Sequence, residues 1–127
     1  MNKNPWQKAN ELEERLIDFA VRIVRLSTDL PKGFAGQYFG KQVLRSGSAP
    51  ALLYAEARGG ESDADFRHKC SIALKELRET HVNIKIISRS GLYAEDRLES
   101  LIDETNQLIS IFVATVRSLD KKLNHEK

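Results

Sequence analysis

The residues of this sequence that could carry chemistry are one cysteine, three histidines and a pair of nearby carboxylates. Cys70 would need a neighbouring base to act as a nucleophile, yet His68 is two residues away and falls on a different helical face. Glu76 and Glu79, one helical turn apart, could act as a general acid/base pair. The basic residues beside them favour ordinary ion pairs instead. We interpret Cys70 as a buried, inert thiol and the two glutamates as a salt-bridged face.

The histidine and methionine spacing argues against a metal or haem site. Di-iron helical bundles use Glu-x-x-His on two helices, and that motif is absent. Of His68, His81 and His125, only His81 falls near a predicted core stripe, where a lone histidine is usually a packing residue. Cys-x-x-Cys-His is also absent, and Met1 is the only methionine. We therefore predict no catalytic residue, no metal, no cofactor and no small-molecule substrate.

A third group of charged residues is predicted to have a structural role. Arg45 and Glu56 are eleven residues apart, which is three helical turns, so they project from nearly one face. The residues between them are unusually small, which predicts close helix packing and burial of both charges. A buried charge must be paired, because removing its partner costs about 3–5 kcal/mol. We expect Arg45 to reach an acid on the third helix, giving a structural polar network of Arg45, Glu56, Glu76 and Glu79.

Length and composition place the chain among helical proteins of one domain. The chain has 127 residues, 41% hydrophobic and 30% charged, with a net charge of +2. A single cysteine fits a reducing compartment, and no apolar run is long enough to span a bilayer. The polar start of the chain shows no signal peptide. These features predict a cytoplasmic protein with no membrane partner.

Apolar residues recurring at steps of three and four predict four long helices, over residues 5–30, 36–58, 63–90 and 94–123. Asn4 and Ser62 are predicted N-caps, and Gly91 is a predicted helix stop. Pro50 predicts a kink in the second helix, or alternatively two short helices with a break at 47–50. Short connections then favour an all-α, single-domain, antiparallel up-down-up-down four-helix bundle.

The first and third helices carry a second apolar face that an isolated bundle does not need. We predict that this face forms a homo-oligomer interface with closed symmetry, through Trp6, Ile17, Val21, Val24, Ile72, Val82 and Ile86. A basic stripe follows another flank of the third helix. It is either a solvated face or a set of contacts to RNA or DNA, made by Arg67, Arg78, Lys85 and Arg89.

Two stretches of the chain resemble a known family. They are LRSGSAPALLYAEA at 44–57 and ESDADFRHKCSIALKELRET at 61–80, supported by WQKA at 6–9 and SGLY at 90–93. Together they resemble the bacterial four-helix-bundle proteins grouped with the 23S rRNA intervening-sequence proteins. Arg45 and Glu56 match the pattern of that family. Leu53, Ala57 and the position of Pro50 depart from it, which places any polar role of that turn in question.

The resemblance implies a left-handed up-and-down bundle that assembles into a ring-like homopentamer. It also implies a link to nucleic acid, since related bundles serve reverse transcriptases as basic accessories, and it supplies no catalytic residue. The leading hypothesis is a non-enzymatic, oligomeric helical scaffold with RNA or DNA as partner. The alternatives are an adaptor scaffold for another protein and, least favoured, an enzyme with a cofactor in the bundle core.

Overall fold

The protein consists of four helices in a computed structural model that describes residues 2–125. No strand occurs in this range, and the helices are α1 (Pro5–Asp29), α2 (Phe34–Arg58), α3 (Asp63–Arg89) and α4 (Glu95–His125). Each end lies within two residues of the position that the sequence predicts. The predicted all-α four-helix bundle is therefore confirmed.

The helix ends follow from local side-chain chemistry. Asn4 caps α1 in a capping box, because its side chain accepts from the Gln7 N–H and the Gln7 side chain accepts from the Asn4 N–H. Ser62 caps α3 by accepting from the Asp65 N–H at 3.1 Å. Gly91, which ends α3, has a φ of 75°, a left-handed conformation that favours glycine. These predicted boundaries are confirmed.

The second helix passes through Pro50 without interruption, so the alternative of two short helices broken at 47–50 is wrong. Small residues around it let α1 approach closely. A Cβ on Gly47 would lie 2.7 Å from Cγ1 of Ile23 in α1, and a Cβ on Gly36 would overlap the carbonyl of Pro31 in the connection between the two helices. The seam between α1 and α2 is therefore closed by the absence of side chains.

One buried core runs through the bundle, and the predicted stripes of α1 and α3 supply much of it. From α4, Leu101 and Leu108 are buried in this core, whereas Ile102 and Ile109 are only partly buried.

The core also contains a polar rung between α2 and α3. The Ser46 hydroxyl accepts from the Thr80 hydroxyl at 2.9 Å and from the Asn83 amide at 3.4 Å, and all three residues are buried. Buried polar groups favour one arrangement because leaving them unpaired costs about 1–3 kcal/mol. The rung fixes α2 and α3 in one register.

The four seams between neighbouring helices are unequal. Packing is extensive between α1 and α2, α2 and α3, and α3 and α4, but α1 and α4 come close at few points. Long polar side chains bridge the gap instead. Arg15 donates to both oxygens of Glu104, and Arg22 donates to Ser100 at 2.7 Å. We call this region the α1–α4 seam.

Candidate interaction surfaces

The predicted Arg45 contact with α3 is present. Its guanidinium donates to Glu76 at 2.9 Å and also to Glu79, and the hydrogen bond to Glu79 is the main cause of a raised Arg45 pKa. However, the Arg45 side chain is 51% exposed, so the expectation of a buried charge is wrong. Gly40 and Gly47 of α2 face α1, whereas Arg45 faces α3. The ion pairs of Arg45 with Glu76 and Glu79 tie α2 to α3 at the surface.

Glu56 lies apart from that contact. It is exposed in the last turn of α2, beside the Gly59–Gly60 corner, and its side chain has no hydrogen bond or ion pair with residues 2–125. The expected network of four residues is therefore reduced to three. Arg45 and Glu56 do share a helical face, but they lie too far apart along α2 to share a partner.

The basic stripe of α3 is partly neutralised. Arg67 donates to both oxygens of Asp120 on α4, at 2.8 and 3.4 Å, and this hydrogen bonding raises its pKa. Lys85 is partly buried. Arg78 and Arg89 are exposed and form no ion pair within the described part of the chain. Two of the four candidate nucleic-acid contacts thus remain as unpaired, exposed guanidinium groups.

The outward-facing apolar residues predicted for α1 are exposed. Trp6 is 69% exposed, and Ile17, Val21 and Val24 follow it on the side of α1 opposite the core. Burying such side chains stabilises an assembly by about 25 cal/mol per Å² of apolar surface. Leaving them in water is unfavourable, so this face is a candidate interface.

Leu44 and Leu52 of α2 are also exposed, and sequence reasoning missed them. Gly47 lies against Ile23, and Gly40 lies against Ser27, so these residues show how the two antiparallel helices are aligned along their axes. Counting from these contacts places Leu44 level with Val24 and Leu52 level with Ile17. We call the five exposed residues Ile17, Val21, Val24, Leu44 and Leu52 the α1–α2 outer face.

A second, smaller group of exposed apolar residues lies on α2 and α3. Val82 and Ile86 of α3 are exposed, and Tyr38 of α2 is exposed at a similar level. This level follows from the Arg45 contacts with Glu76 and Glu79, which align α2 with α3. We call the three residues the α2–α3 outer face. The predicted interface residue Ile72 is only partly buried and lies closer to the other end of α3.

A groove opens in the α1–α4 seam where α1 begins and α4 ends. Its volume is about 900 Å³, and Leu12, Phe66, Ile111 and Leu119 contribute to its apolar walls. Tyr54 lines it while only 5% exposed, and burial raises the pKa of its hydroxyl. Sequence reasoning missed this groove because Leu12 and Phe66 belong to ordinary core stripes.

The described side chains that could take part in catalysis lie in surroundings that suppress their reactivity or leave them without partners for metal binding. Cys70 is fully buried, and burial raises the pKa of its thiol to about 11, which suppresses the thiolate. Burial, with a contribution from Lys85, lowers the pKa of His81. Within residues 2–125 no three His, Cys, Asp or Glu side chains gather as metal ligands. No described helix is both long and apolar enough to cross a membrane.

Comparison with known proteins agrees with this architecture. The family model described as 23S rRNA-intervening sequence protein matches residues 4–114. The chain belongs to this family. A crystal structure of a protein of unknown function from the S23 ribosomal protein family of Bacteroides thetaiotaomicron is 30% identical, with a TM-score of 0.80. The match covers 87% of this chain and 98% of that one. A search of the curated proteins found no match.

Proposed function

We propose that this protein is a non-enzymatic helical scaffold that functions as a homo-oligomer. The observation that carries the proposal is the α1–α2 outer face, where five large apolar side chains from two neighbouring helices are exposed. Clustered apolar surfaces of this kind usually mark interfaces, because solvent contact with them is unfavourable. The inertness of Cys70 and the engagement of Glu76 and Glu79 by Arg45 support the non-enzymatic part.

The proposed assembly is a closed ring, and the family resemblance implies five copies. In a ring each copy contacts its two neighbours through two different surfaces. The α1–α2 outer face includes exposed apolar residues of α1, and the α2–α3 outer face includes exposed apolar residues of α3, so each copy carries exposed apolar side chains on both helices that neighbour α2. Trp6 extends the first of them toward the start of α1.

Light scattering with size-exclusion chromatography tests the assembly. The wild-type protein is expected to elute as an oligomer at micromolar concentration. The double substitution Val21→Glu and Leu52→Glu places two charges in the α1–α2 outer face and should yield the 14.4 kDa subunit with unchanged helical circular dichroism. The matched control is Asn106→Glu with Ser110→Glu on an exposed part of α4, which should keep the wild-type mass. A monomeric wild-type protein would refute the proposal.

The second part of the proposal is that the scaffold's partner is RNA or DNA. It is supported by the sequence pI of about 8.7, by the unpaired Arg78 and Arg89, and by a family description that refers to 23S rRNA. Binding to a structured rRNA fragment should weaken steeply as salt increases, because counterions are released from the phosphates. If affinity is undetectable at low salt, the partner is instead a protein, and the adaptor alternative is favoured.

A further inference from the structure

A second cavity lies in the α1–α4 seam, at the opposite end from the apolar groove. It is a cleft of about 240 Å³ between the last turns of α1 and the first turns of α4. Three arginines, Arg22, Arg25 and Arg97, line it together with Asp29 and Tyr93. Its floor consists of leucines that are almost completely buried, namely Leu26, Leu98 and Leu101.

The three arginines differ from those that tie other helices together. Arg15, Arg45, Arg58 and Arg67 each reach a carboxylate on a neighbouring helix. In the cleft, Arg22 donates only to the Ser100 hydroxyl, at 2.7 Å, and Arg97 lies over the Tyr93 ring at 4.5 Å. Arg25 has no hydrogen bond or ion pair with any residue that the structure describes. None of the three is neutralised by an ion pair within residues 2–125.

The charge of the cleft is unbalanced. Asp29 is its single carboxylate, and its side chain accepts a long hydrogen bond from the Tyr93 hydroxyl at 3.5 Å. Three positive charges therefore face one negative charge above a floor of leucines. Apolar surroundings reduce the screening of charge repulsion relative to bulk water. A bound anion would offset this repulsion.

The side-chain chemistry favours a phosphate group as that anion. A guanidinium presents a planar fork of N–H donors that matches phosphate oxygens, and several forks can share one phosphate. Arg97 lies over the face of the Tyr93 ring, and this cation–π contact holds its guanidinium at the cleft. We propose that the cleft of Arg22, Arg25 and Arg97 binds a backbone phosphate of a nucleic acid strand. This inference rests on the nucleic-acid part of the proposed function and assigns its contact site.

The test compares two double substitutions that remove the same charge. Arg25→Gln with Arg97→Gln empties the cleft of its exposed guanidinium groups, whereas Arg78→Gln with Arg89→Gln removes two exposed, unpaired guanidinium groups from α3. Binding of a fluorescein-labelled single-stranded RNA of twenty nucleotides is followed by anisotropy between 50 and 200 mM salt. Arg25→Lys is included because it keeps the charge but loses the fork.

The cleft variant is expected to lose about tenfold in affinity for each guanidinium removed, since a hydrogen bond to a charged group contributes about that much. The slope of log affinity against log salt should fall by about 0.7 for each lost phosphate contact. The α3 variant should lose less affinity than the cleft variant, and Arg25→Lys should fall between wild type and Arg25→Gln. Circular dichroism and light scattering confirm that fold and assembly are kept.

Other outcomes overturn the inference in distinguishable ways. If the α3 variant loses affinity and the cleft variant does not, the phosphate is bound on α3, and the nucleic-acid proposal survives without the cleft. If pyrophosphate binds by titration calorimetry in a cleft-dependent way but RNA does not, the ligand is a free phosphate compound. If wild type binds neither probe at 50 mM salt, both the cleft and the nucleic-acid partner are rejected. The homo-oligomer proposal is decided separately by the mass of the wild-type protein.

Discussion

The α1–α2 seam and the α1–α4 seam belong to the same first helix but are built in opposite ways. Gly47 presents no side chain to Ile23 in the first seam, so that the helices touch directly. Long side chains such as Arg15 and Arg22 span the second, which leaves an apolar groove at one end and a basic cleft at the other. The comparison teaches that a glycine facing a core side chain lets two helices meet directly. The seam spanned by long polar side chains has room for a ligand.

The largest change in stability is expected when a large side chain is introduced into the closely packed α1–α2 seam. Gly47→Leu should lower the free energy of unfolding by about 3 kcal/mol, because the new side chain collides with Ile23 and overpacking of this kind costs about 1–3 kcal/mol. Ala114→Leu is the matched control, since Ala114 is exposed and lines the open groove. It should change stability by less than about 0.5 kcal/mol, as surface substitutions do. Urea unfolding measures both, and equal effects would contradict the comparison.

Ionisation provides a second, intermediate effect. Cys70 is buried in α3 between closed seams, and its thiol pKa is raised to about 11 from an ordinary value of 9.0. Above pH 9 the folded protein therefore keeps a thiol proton that the unfolded chain releases. The contribution of this group to the free energy of unfolding is fully present below pH 9 and is lost as the pH rises toward 11. This loss should reach about 2 kcal/mol, since one pKa unit corresponds to about 1.4 kcal/mol.

Urea unfolding at pH 8 and at pH 10.5, for wild type and Cys70→Ala, measures that loss. Burial also raises the pKa of Tyr54, but Tyr54 is present in both proteins, so its contribution cancels in the difference. An identical pH dependence in the two proteins would show that water reaches Cys70 and that the seams around it are not closed.

The smallest effect concerns the polar bridge of the open seam. Arg15→Met should lower the free energy of unfolding by about 1 kcal/mol, because Glu104 is partly buried and loses two charge-assisted hydrogen bonds. Lys3→Met removes an exposed pair with Glu11 and should change stability by less than about 0.5 kcal/mol. If Arg15→Met matches this control in thermal and urea unfolding, the bridge does not hold α1 to α4.

Much of the fold could be predicted because its signals are local. Residues close together in the sequence determine the helix caps at Asn4 and Ser62 and the helix end at Gly91. The apolar stripes of α1 and α3 likewise follow from spacings of three and four residues. The Arg45 contact with α3 was also predictable, since paired acids lie one turn apart on that helix. The exposure of the Arg45 side chain could not be predicted, because it depends on which flank of α2 packs against α1.

The candidate surfaces were only partly predictable for the same reason. Exposed residues on α1 appear as a second apolar face, but joining them to Leu44 and Leu52 requires the level at which Gly47 meets Ile23. The basic cleft brings together Arg22 and Arg97, which are distant in sequence and line the same cleft only because α1 and α4 pack loosely. Spacing along one helix could not reveal a site formed by two.

The loosely packed α1–α4 seam also has a kinetic consequence. The closely packed helix pairs are neighbours in the chain, so their contacts form after closure of short connections, with a small entropic cost. Chains dominated by such local contacts fold quickly, on a scale of about microseconds to milliseconds. Joining the first and last helices spans nearly the whole polypeptide and gains few contacts. The two ends of the molecule therefore come together late in folding, and that edge is the first to open when the native state fluctuates.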